Sequence, residues 1–443
     1  MQRSQHMIGM RDAPDPLTPL WHATAPRFVE PVATRNNLSS LAVDTLVIGA
    51  GVTGLSTALH LAERGARVAV LERDGPGLGS SGRANGQIIA GLQKDPDALI
   101  AAFGTEQGER MVEFAGRAPD LLFELIARHG IACDAERTGW VQATRSAREM
   151  KSLERLAASW ARRDAPVRML DRGEITRLLG TDAYAGGWLD QRNGSIQPLA
   201  YARGLASAAV AAGAEAHYGV EVGELRRERG IWRVSTNCGE LSAATVVLAT
   251  NVYTSQLRGV ARTFLGRTYL SAYSVQLATE PLDEALLRRV LPERHTAADT
   301  EHVRLRYFRL DREGRFVIGG PGWLTPPRSA SAASFRVLES SMRRMFPQLA
   351  RVRVDYRWAA RDTLTPDLLP HLYEPCPGLY SALGYNGRGL AIGTALGSVL
   401  ARRVLGEPAE TLPYPTTRAS SLPLNLPSAA AYYAKVALAR LRR

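Results

Sequence analysis

Cysteine is scarce in this sequence: the 443 residues include only 3, at Cys133, Cys238 and Cys376. They lie far apart, with no C-x-x-C pair and no Cys/His cluster, which excludes a disulfide framework and a structural zinc site. Uninterrupted apolar runs of about 18 residues are also missing, and residues 1–36 have no apolar signal core. The sequence therefore predicts a cytoplasmic protein without a membrane span.

Two kinds of active site are missing as well. The 8 histidines are scattered, and neither a Ser/His/Asp hydrolytic set nor a constellation of metal ligands is visible. The net charge of +12 comes from 55 Lys and Arg against 43 Asp and Glu. Because the arginines are spread along the chain and no nucleic-acid motif accompanies them, we expect no nucleic-acid partner. Because no constellation of metal ligands is visible, we also expect no metal ion.

What the sequence does contain is a strand–helix–strand pattern near residue 45. The apolar run Thr45–Ile48 ends in glycines, residues 55–62 have apolar side chains at helical spacing, and a second apolar run covers residues 67–71. Such a unit needs a parallel sheet that is buried on both faces. The expected fold class is therefore α/β, with a Rossmann-like domain built on a parallel sheet.

The middle of the chain has a different pattern. Strand-like stretches such as Ser274–Ala278 and Arg315–Gly319 alternate with a helix around Ser334–Met345, which indicates an α+β substrate domain with a mainly antiparallel sheet. The expected ranges are a lead-in at 1–40, the Rossmann-like domain at 41–95 with 195–265 and 355–410, the substrate domain at 96–194 with 266–354, and a C-terminal extension with a basic helix at 411–443.

A glycine-rich turn follows the first strand directly. Gly49, Gly51 and Gly54 form a G-x-G-x-x-G motif, and Glu72 stands at the end of the second strand. Gly49 permits a tight turn, Gly51 lets a pyrophosphate approach, and Gly54 lets the helix pack on the strand. The helix N-terminus attracts phosphate, and an acidic residue at position 72 suits ribose hydroxyls, so the motif predicts FAD or NAD and disfavours NADP.

Two further glycine-rich loops are candidate parts of the same site. In the loop Gly79–Gln87, we expect Ser81 and Arg83 to face phosphate and the backbone of residues 85–88 to reach a flavin; a flexible loop without a ligand has the same composition. The loop Gly384–Leu390 leads into a helix of small residues whose dipole suits the negative charge of a reduced flavin. Tight helix packing alone would also explain this second loop.

Several motifs occur in a fixed order along most of the chain. They are Asp44–Glu72, Gly79–Gln87, Trp188–Asp190 with Gly194, Ile196 and Pro198, Gln276 with Ala278–Leu282, Tyr307 with Arg309-Leu310, Ile318–Gly320, Phe346-Pro347 and Gly384–Gly389. In these motifs the chain resembles the glycine/D-amino-acid oxidase (DAO) family of FAD enzymes, in its γ-glutamylputrescine oxidase-like branch. The resemblance runs from about Leu20 to Leu405.

The resemblance implies a Rossmann-like FAD-binding domain, with FAD as cofactor. The family's covalent members attach FAD through a His or Cys near these loops, and neither residue type occurs in 79–91 or 383–397, so the FAD is expected to be non-covalent. The implied FAD-binding residues are Gly49, Gly51, Val52, Thr53, Gly54, Glu72, Arg73, Ser80, Ser81, Gly82, Arg83, Asn85, Gly86, Gln87, Ile88, Val222, Ala249, Thr250, Gly384, Gly387, Arg388, Gly389 and Leu390.

The implied reaction is oxidation of the C–N bond of an amine or amino-acid derivative such as a γ-glutamyl amine. Hydride would pass to flavin N5, and the resulting imine would hydrolyse, with O2 or another electron acceptor completing the cycle. Arg388 is the candidate for pairing a substrate carboxylate. The candidate walls for an amine are Tyr269, Tyr273, Tyr307, Trp358 and Tyr385, although aromatic side chains also fill cores.

Two departures from the family pattern concern the substrate. Arg388 stands where the named branch has histidine between the last two glycines, and Ala84-Asn85 stands where Asn-Gly is usual. Two alternatives therefore remain open. One is a D-amino-acid or secondary-amine dehydrogenase with an acceptor other than O2, and the other is a redox-inactive flavin-binding protein.

Overall fold

The computed structural model describes residues 18–29, 38, 41, 43–300, 305–322 and 330–420. The helices in them are α1 Leu20–Thr24, α2 Val52–Ala62, α3 Pro96–Phe103, α4 Thr105–Arg128, α5 Ala147–Ala161, α6 Arg172–Leu179, α7 Pro198–Ala211, α8 Val260–Phe264, α9 Glu284–Leu287, α10 Ala332–Met345 and α11 Gly389–Val404.

The strands of the described residues follow the same chain order. They are β1 Thr45–Ile48, β2 Val68–Glu72, β3 Gln87–Ile88, β4 Trp140–Thr144, β5 Val167–Leu170, β6 Gly186–Asp190, β7 Gly194–Ser195, β8 Glu215–Tyr218, β9 Val222–Glu228, β10 Ile231–Thr236, β11 Gly239–Ala243, β12 Thr245–Leu248, β13 Arg258–Gly259, β14 Leu270–Pro281, β15 Thr296–Asp299, β16 Tyr307–Leu310, β17 Arg315–Pro321, β18 Val354–Leu364, β19 His371–Cys376, β20 Leu379–Leu383 and β21 Thr416–Thr417.

The first sheet is a seven-stranded, mostly parallel one in the order β21-β19-β20-β12-β1-β2-β8. Strand β1 lies at its centre and pairs in parallel with β12 and β2. Every residue of α2 is buried, because this helix packs against both α11 and α7 on one face of the sheet. A small sheet in the order β11-β10-β9-β13 packs on the other side, around Trp232. The predicted Rossmann-like architecture is confirmed.

The second sheet has eight strands in the order β18-β14-β17-β16-β15-β4-β6-β5. Its pairs are antiparallel except for β15 with β4. Helix α10 packs on β14 and β17, and Phe308, Phe316 and Phe346 form a buried aromatic cluster beneath it. This arrangement confirms the predicted mixed fold with a mainly antiparallel substrate-side sheet.

Some local placements differ from the expected ranges. Strand β18 pairs with β14 over ten positions and so belongs to the second sheet, although the sequence predicts that residues 355–410 belong to the Rossmann-like domain. Strand β21 pairs with β19 at the edge of the first sheet, inside the expected C-terminal extension. Strand pairing joins distant segments, which local patterns do not reveal. The basic helix expected at the C-terminus lies outside the described residues.

No helix among the described residues is both long and apolar enough to cross a membrane. Likewise, the described part of the chain contains no group of three or more His, Cys, Asp or Glu side chains placed to hold a metal ion.

Candidate active site

A cavity of about 880 Å³ lies between the carboxyl ends of β1, β2 and β12 and the facing surface of the second sheet. Its volume is in the range of ligand sites in proteins. The first sheet contributes residues 48–53, 71–74 and 249–251, and the second contributes residues from β4, β14, β15, β16 and β18. None of the described residues that line it is His or Cys.

The glycine turn after β1 forms one end of the cavity. Gly49 has φ of +104°, and a Cβ there would lie 2.9 Å from the carbonyl oxygen of Ala249. A Cβ on Gly54 would overlap the carbonyl oxygen of Gly49, so the start of α2 packs directly on the turn. Helix α2 begins at Val52, whose N–H donates to Ser81 Oγ at 3.1 Å. The turn therefore presents a helix N-terminus and a hydroxyl to the cavity, as an anion site requires.

Glu72 lies at the end of β2, beside this turn. Its Oε2 accepts a hydrogen bond from the N–H of Ala50 at 2.7 Å, and its Oε1 accepts one from the N–H of Asp74 at 3.0 Å. Burial raises the pKa of Glu72, and these two backbone donors oppose the rise. The carboxylate is thus fixed at the end of β2, where a nucleotide ribose binds in folds of this type.

Two polar atoms in the loop Gly79–Gln87 lack a partner among the described residues. Ser80 Oγ and Asn85 Oδ1 are buried without a hydrogen bond to any described residue, and both residues line the cavity. Buried polar atoms are normally satisfied. Together with the glycine turn and Glu72, these atoms fit the hydrogen-bonding groups of FAD.

Arg83 differs from its predicted role, because it does not line the cavity. Its Nε reaches the carbonyl oxygen of Leu78 at 3.5 Å. Its own carbonyl oxygen accepts from Gln276 Nε2 at 2.8 Å and from Trp358 Nε1 at 3.0 Å. Arg83 therefore ties the loop to the second sheet, and Trp358 is a buried anchor behind the cavity.

Most of the other predicted residues do line the cavity. Tyr269 does not, because its hydroxyl is buried against Val252 O at 3.0 Å. Gly82 packs tightly, since a Cβ there would lie 2.5 Å from Gly77 O. The predicted residues on the cavity wall are Gly49, Gly51, Val52, Thr53, Glu72, Arg73, Ser80, Ser81, Asn85, Gly86, Gln87, Val222, Ala249, Thr250, Tyr273, Tyr307, Tyr385, Gly387, Arg388, Gly389 and Leu390, and those outside it are Gly54, Tyr269, Gly82, Arg83, Ile88, Trp358 and Gly384.

Tyr307 covers part of the second sheet's inner face. Its ring packs on Gly319, where a Cβ would overlap the ring. Burial raises the pKa of Tyr307 to about 12, with a hydrogen bond to Ser274 opposing the rise. Tyr273 lies on the cavity wall beside the guanidinium of Arg361, 5.8 Å from its ring. The rings of both tyrosines form walls of the cavity, and the hydroxyl of Tyr307 stays protonated at neutral pH.

Arg388 precedes α11 and lies partly open to the cavity. Its Nη1 donates to the carbonyl oxygen of Ala90 at 2.9 Å, and its guanidinium stands 5.9 Å from the ring of Trp140. Burial lowers the pKa of Arg388 to about 10, with the charge of Asp190 opposing the change. The side chain therefore stays protonated at neutral pH, with only one of its five N–H donors bonded to a described residue.

Sequence reasoning assigned no role to three residues around the cavity. Gln276 bonds Asn85 Nδ2 through its Oε1 at 3.3 Å. Arg309 is buried behind the loop, donating to Asn85 O at 2.9 Å and Ile196 O at 2.7 Å. Asp362 lines the cavity on β18. Gln276 and Arg309 lie in motifs on which the family resemblance rests, so the sequence did point to their segments. Asp362 lies in no such motif.

Comparisons with known proteins identify the family of this chain. Residues 44–403 match the DAO family, described as FAD dependent oxidoreductase. The chain is 31% identical over 366 residues to a probable oxidoreductase OrdL of Haemophilus influenzae, covering 82% of this chain and 83% of that protein. It is 29% identical over 391 residues to gamma-glutamylputrescine oxidoreductase of Escherichia coli, covering 88% of this chain and 89% of that one.

Solved structures show the same fold. Glycine oxidase from Geobacillus kaustophilus superimposes with a TM-score of 0.70 at 23% identity, covering 86% of this chain and 99% of that one. L-amino acid deaminase from Proteus myxofaciens superimposes with a TM-score of 0.69 at 21% identity, covering 87% and 94%. The chain belongs to the DAO family of FAD-dependent oxidoreductases, and it is an FAD enzyme that oxidises amine or amino-acid substrates.

Proposed function

We propose that this chain oxidises the C–N bond of a γ-glutamyl amine-like substrate to an imine, which hydrolyses to a carbonyl compound and an amine. The observation that carries the proposal is Arg388, a protonated guanidinium on the cavity wall. Most of its N–H donors are not bonded to a described residue. A γ-glutamyl amine carries a carboxylate that such a planar fork can bind. The similarity to gamma-glutamylputrescine oxidoreductase supports the same substrate class.

The residues of the glycine turn would hold the cofactor. Gly49, Gly51 and the N-terminus of α2 would bind the pyrophosphate, and Glu72 would accept hydrogen bonds from the ribose. Ser80 Oγ and Asn85 Oδ1, which lack partners among the described residues, would bind polar groups of FAD. When bound, FAD supplies the hydride acceptor for the oxidation.

The second sheet would form the substrate side of the cavity. Arg388 would orient the substrate through its carboxylate, so that the reacting carbon is held in one place. Tyr307 and Tyr273 would wall the amine end and exclude water. This arrangement needs no histidine or cysteine, in keeping with the described residues on the cavity wall.

The proposal is tested by anaerobic reduction of the bound flavin with a panel of amines. The panel contains γ-glutamylputrescine, free polyamines, N-methyl amino acids and D-amino acids. We expect γ-glutamylputrescine to reduce the flavin with the highest ratio of rate to dissociation constant. A preference for D-amino acids or N-methyl amino acids would assign the chain to the dehydrogenase alternative, and no reduction by any member would indicate a redox-inactive flavin protein.

A further inference from the structure

Asp362 is a cavity-wall carboxylate to which the proposed function gives no task. It lies on β18, opposite Ala272 of β14, two positions after the pair Ala360 and Ser274. All four residues line the cavity. Because residues two apart on a strand share a face, Asp362 lies on the same face of the sheet as Ser274, to whose hydroxyl Tyr307 is hydrogen-bonded.

The carboxylate of Asp362 is held only by backbone donors. Its Oδ1 accepts from the N–H of Thr363 at 2.8 Å, and the N–H of Gly387 also donates to it. No cation is among the groups that shift the pKa of Asp362, and no described Lys, Arg or His forms an ion pair with it. Burial raises the pKa of Asp362 to about 6, so the group is mainly ionised at neutral pH in a place that penalises its charge.

The charged and titratable groups nearby do not neutralise it. Arg361, the preceding residue on β18, lies 5.1 Å from the ring of Tyr253 and 5.8 Å from that of Tyr273. Arg388, after Gly387 in the adjacent loop, donates to Ala90 O, and the carboxylate whose charge acts on its pKa is Asp190 and not Asp362. Tyr307, on β16 of the same sheet, stays protonated, since burial raises its pKa to about 12. Asp362 therefore accepts hydrogen bonds from backbone N–H groups on one side, and its other side faces the cavity, where a ligand would bind.

We propose that Asp362 is the counter-ion of the substrate's reacting ammonium group and takes up one proton from it. This rests on the proposed function. In the step, one N–H bond of the ammonium breaks, its electron pair stays on nitrogen, and the proton goes to a carboxylate oxygen of Asp362. The products are a neutral amine and a neutral carboxylic acid, so charge and protons balance. The nitrogen lone pair that C–H oxidation requires is thereby formed inside the cavity.

The test compares Asp362→Asn with Asp355→Asn, an exposed carboxylate on the same strand that pairs with Arg353. The asparagine at 362 keeps an oxygen for the N–H of Thr363 and removes the charge. The probes are n-butylammonium and n-butanol, which differ in charge but little in size, titrated into the oxidised holoenzyme at neutral pH and followed by the visible flavin spectrum. We expect Asp362→Asn to weaken n-butylammonium binding by roughly tenfold to hundredfold and to leave n-butanol binding unchanged.

The control and a second variant fix the interpretation. Asp355→Asn should bind both probes as the wild type does, and Asp362→Glu, which keeps the charge, should recover part of the n-butylammonium affinity. The proposal is overturned if the wild type binds n-butylammonium no better than n-butanol, or if Asp362→Asn binds both as the wild type does. FAD content and Tm show whether the variants fold. If charge-dependent binding is found while no amine reduces the flavin, the proposed function and the proton transfer to Asp362 both fail, and only the pairing of Asp362 with an ammonium group stands.

Discussion

The phenol oxygen of Tyr385 lies 2.7 Å from the hydroxyl oxygen of Thr53, joining the loop before α11 to the first turn of α2. The same phenol donates to the carbonyl oxygen of Ala382 at 3.1 Å. Tyr385 and Thr53 come from distant parts of the chain, and both line the cavity. Tyr385 therefore links the loop Gly384–Leu390 to the glycine turn at the start of α2. Its hydroxyl is hydrogen-bonded within the protein before any substrate binds.

Replacing Tyr385 with Phe should reduce stability more than it changes substrate binding. The variant removes two buried hydrogen bonds, each contributing about 0.5–1.5 kcal/mol. We therefore expect the free energy of unfolding to fall by about 1–3 kcal/mol. Substrate affinity should change by less than about twofold, or roughly 0.4 kcal/mol. Tyr356→Phe is the matched control, since no hydrogen bond from its hydroxyl to a described residue occurs. A large loss of substrate affinity in Tyr385→Phe would contradict this role.

Two glycines in one motif should respond differently to substitution. Gly51→Val should fold, because a Cβ there meets only the side-chain oxygen of Ser81, at 3.0 Å, but it should not bind FAD, since the branched side chain takes the pyrophosphate's place. Gly54→Ala should lower Tm, because its Cβ would overlap the backbone of Gly49.

The measurements are Tm and the FAD released into solution by acid precipitation. The wild type should release all its flavin as FAD. Flavin retained in the pellet would show a covalent link, and a fully loaded Gly51→Val protein would refute the assignment of this turn.

Arg388→Lys separates a role in substrate binding from a role in the cofactor loop. An ammonium cannot reproduce the planar two-donor fork, so the variant should keep FAD and lose about 1.5–3 kcal/mol of affinity for γ-glutamylputrescine. The loss should vanish with an analogue whose carboxylate is replaced by a carboxamide. Equal losses on both compounds, or loss of FAD, would assign Arg388 to the loop through its bond to Ala90 O.

The rate of flavin reduction at low substrate concentration should depend on pH through Asp362. The ionised carboxylate is lost below its raised pKa of about 6, and the substrate ammonium is lost above a pKa of about 10.4. The wild-type profile should therefore be bell-shaped between these values. In Asp362→Asn the limb near pH 6 should disappear, and the rate should instead rise with pH up to the pKa of the amine. A wild-type profile without the acidic limb would remove Asp362 from the proton transfer.

The part of the site that the sequence predicts is the part formed by neighbouring residues. The tight turn at Gly49 and the close packing at Gly54 are predicted from the sequence because a strand, a turn and a helix follow one another directly. Glu72 is placed by the next strand of the same unit, which pairs in register with β1. Local sequence is sufficient wherever one βαβ unit supplies the geometry.

The substrate side depends on strand register, which local patterns do not supply. Trp358 and Asp362 lie on the same strand, yet only Asp362 reaches the cavity, because Trp358 is covered by the loop at Arg83. The guanidinium of Arg83 looked like a phosphate ligand, whereas the structure shows its carbonyl oxygen anchoring two side chains of the second sheet. The positions of Trp358 and Arg83 both depend on the contact between the loop Gly79–Gln87 and the second sheet.

The central claim is that a γ-glutamyl amine reduces the flavin of this chain, and its most direct test is anaerobic mixing of the oxidised holoenzyme with γ-glutamylputrescine. We predict complete bleaching of the visible flavin absorbance, with a rate that saturates as the substrate concentration rises. The matched compound γ-glutamylbutylamide, which lacks the terminal amine, should leave the spectrum oxidised. Flavin that dithionite bleaches but γ-glutamylputrescine does not would contradict the account.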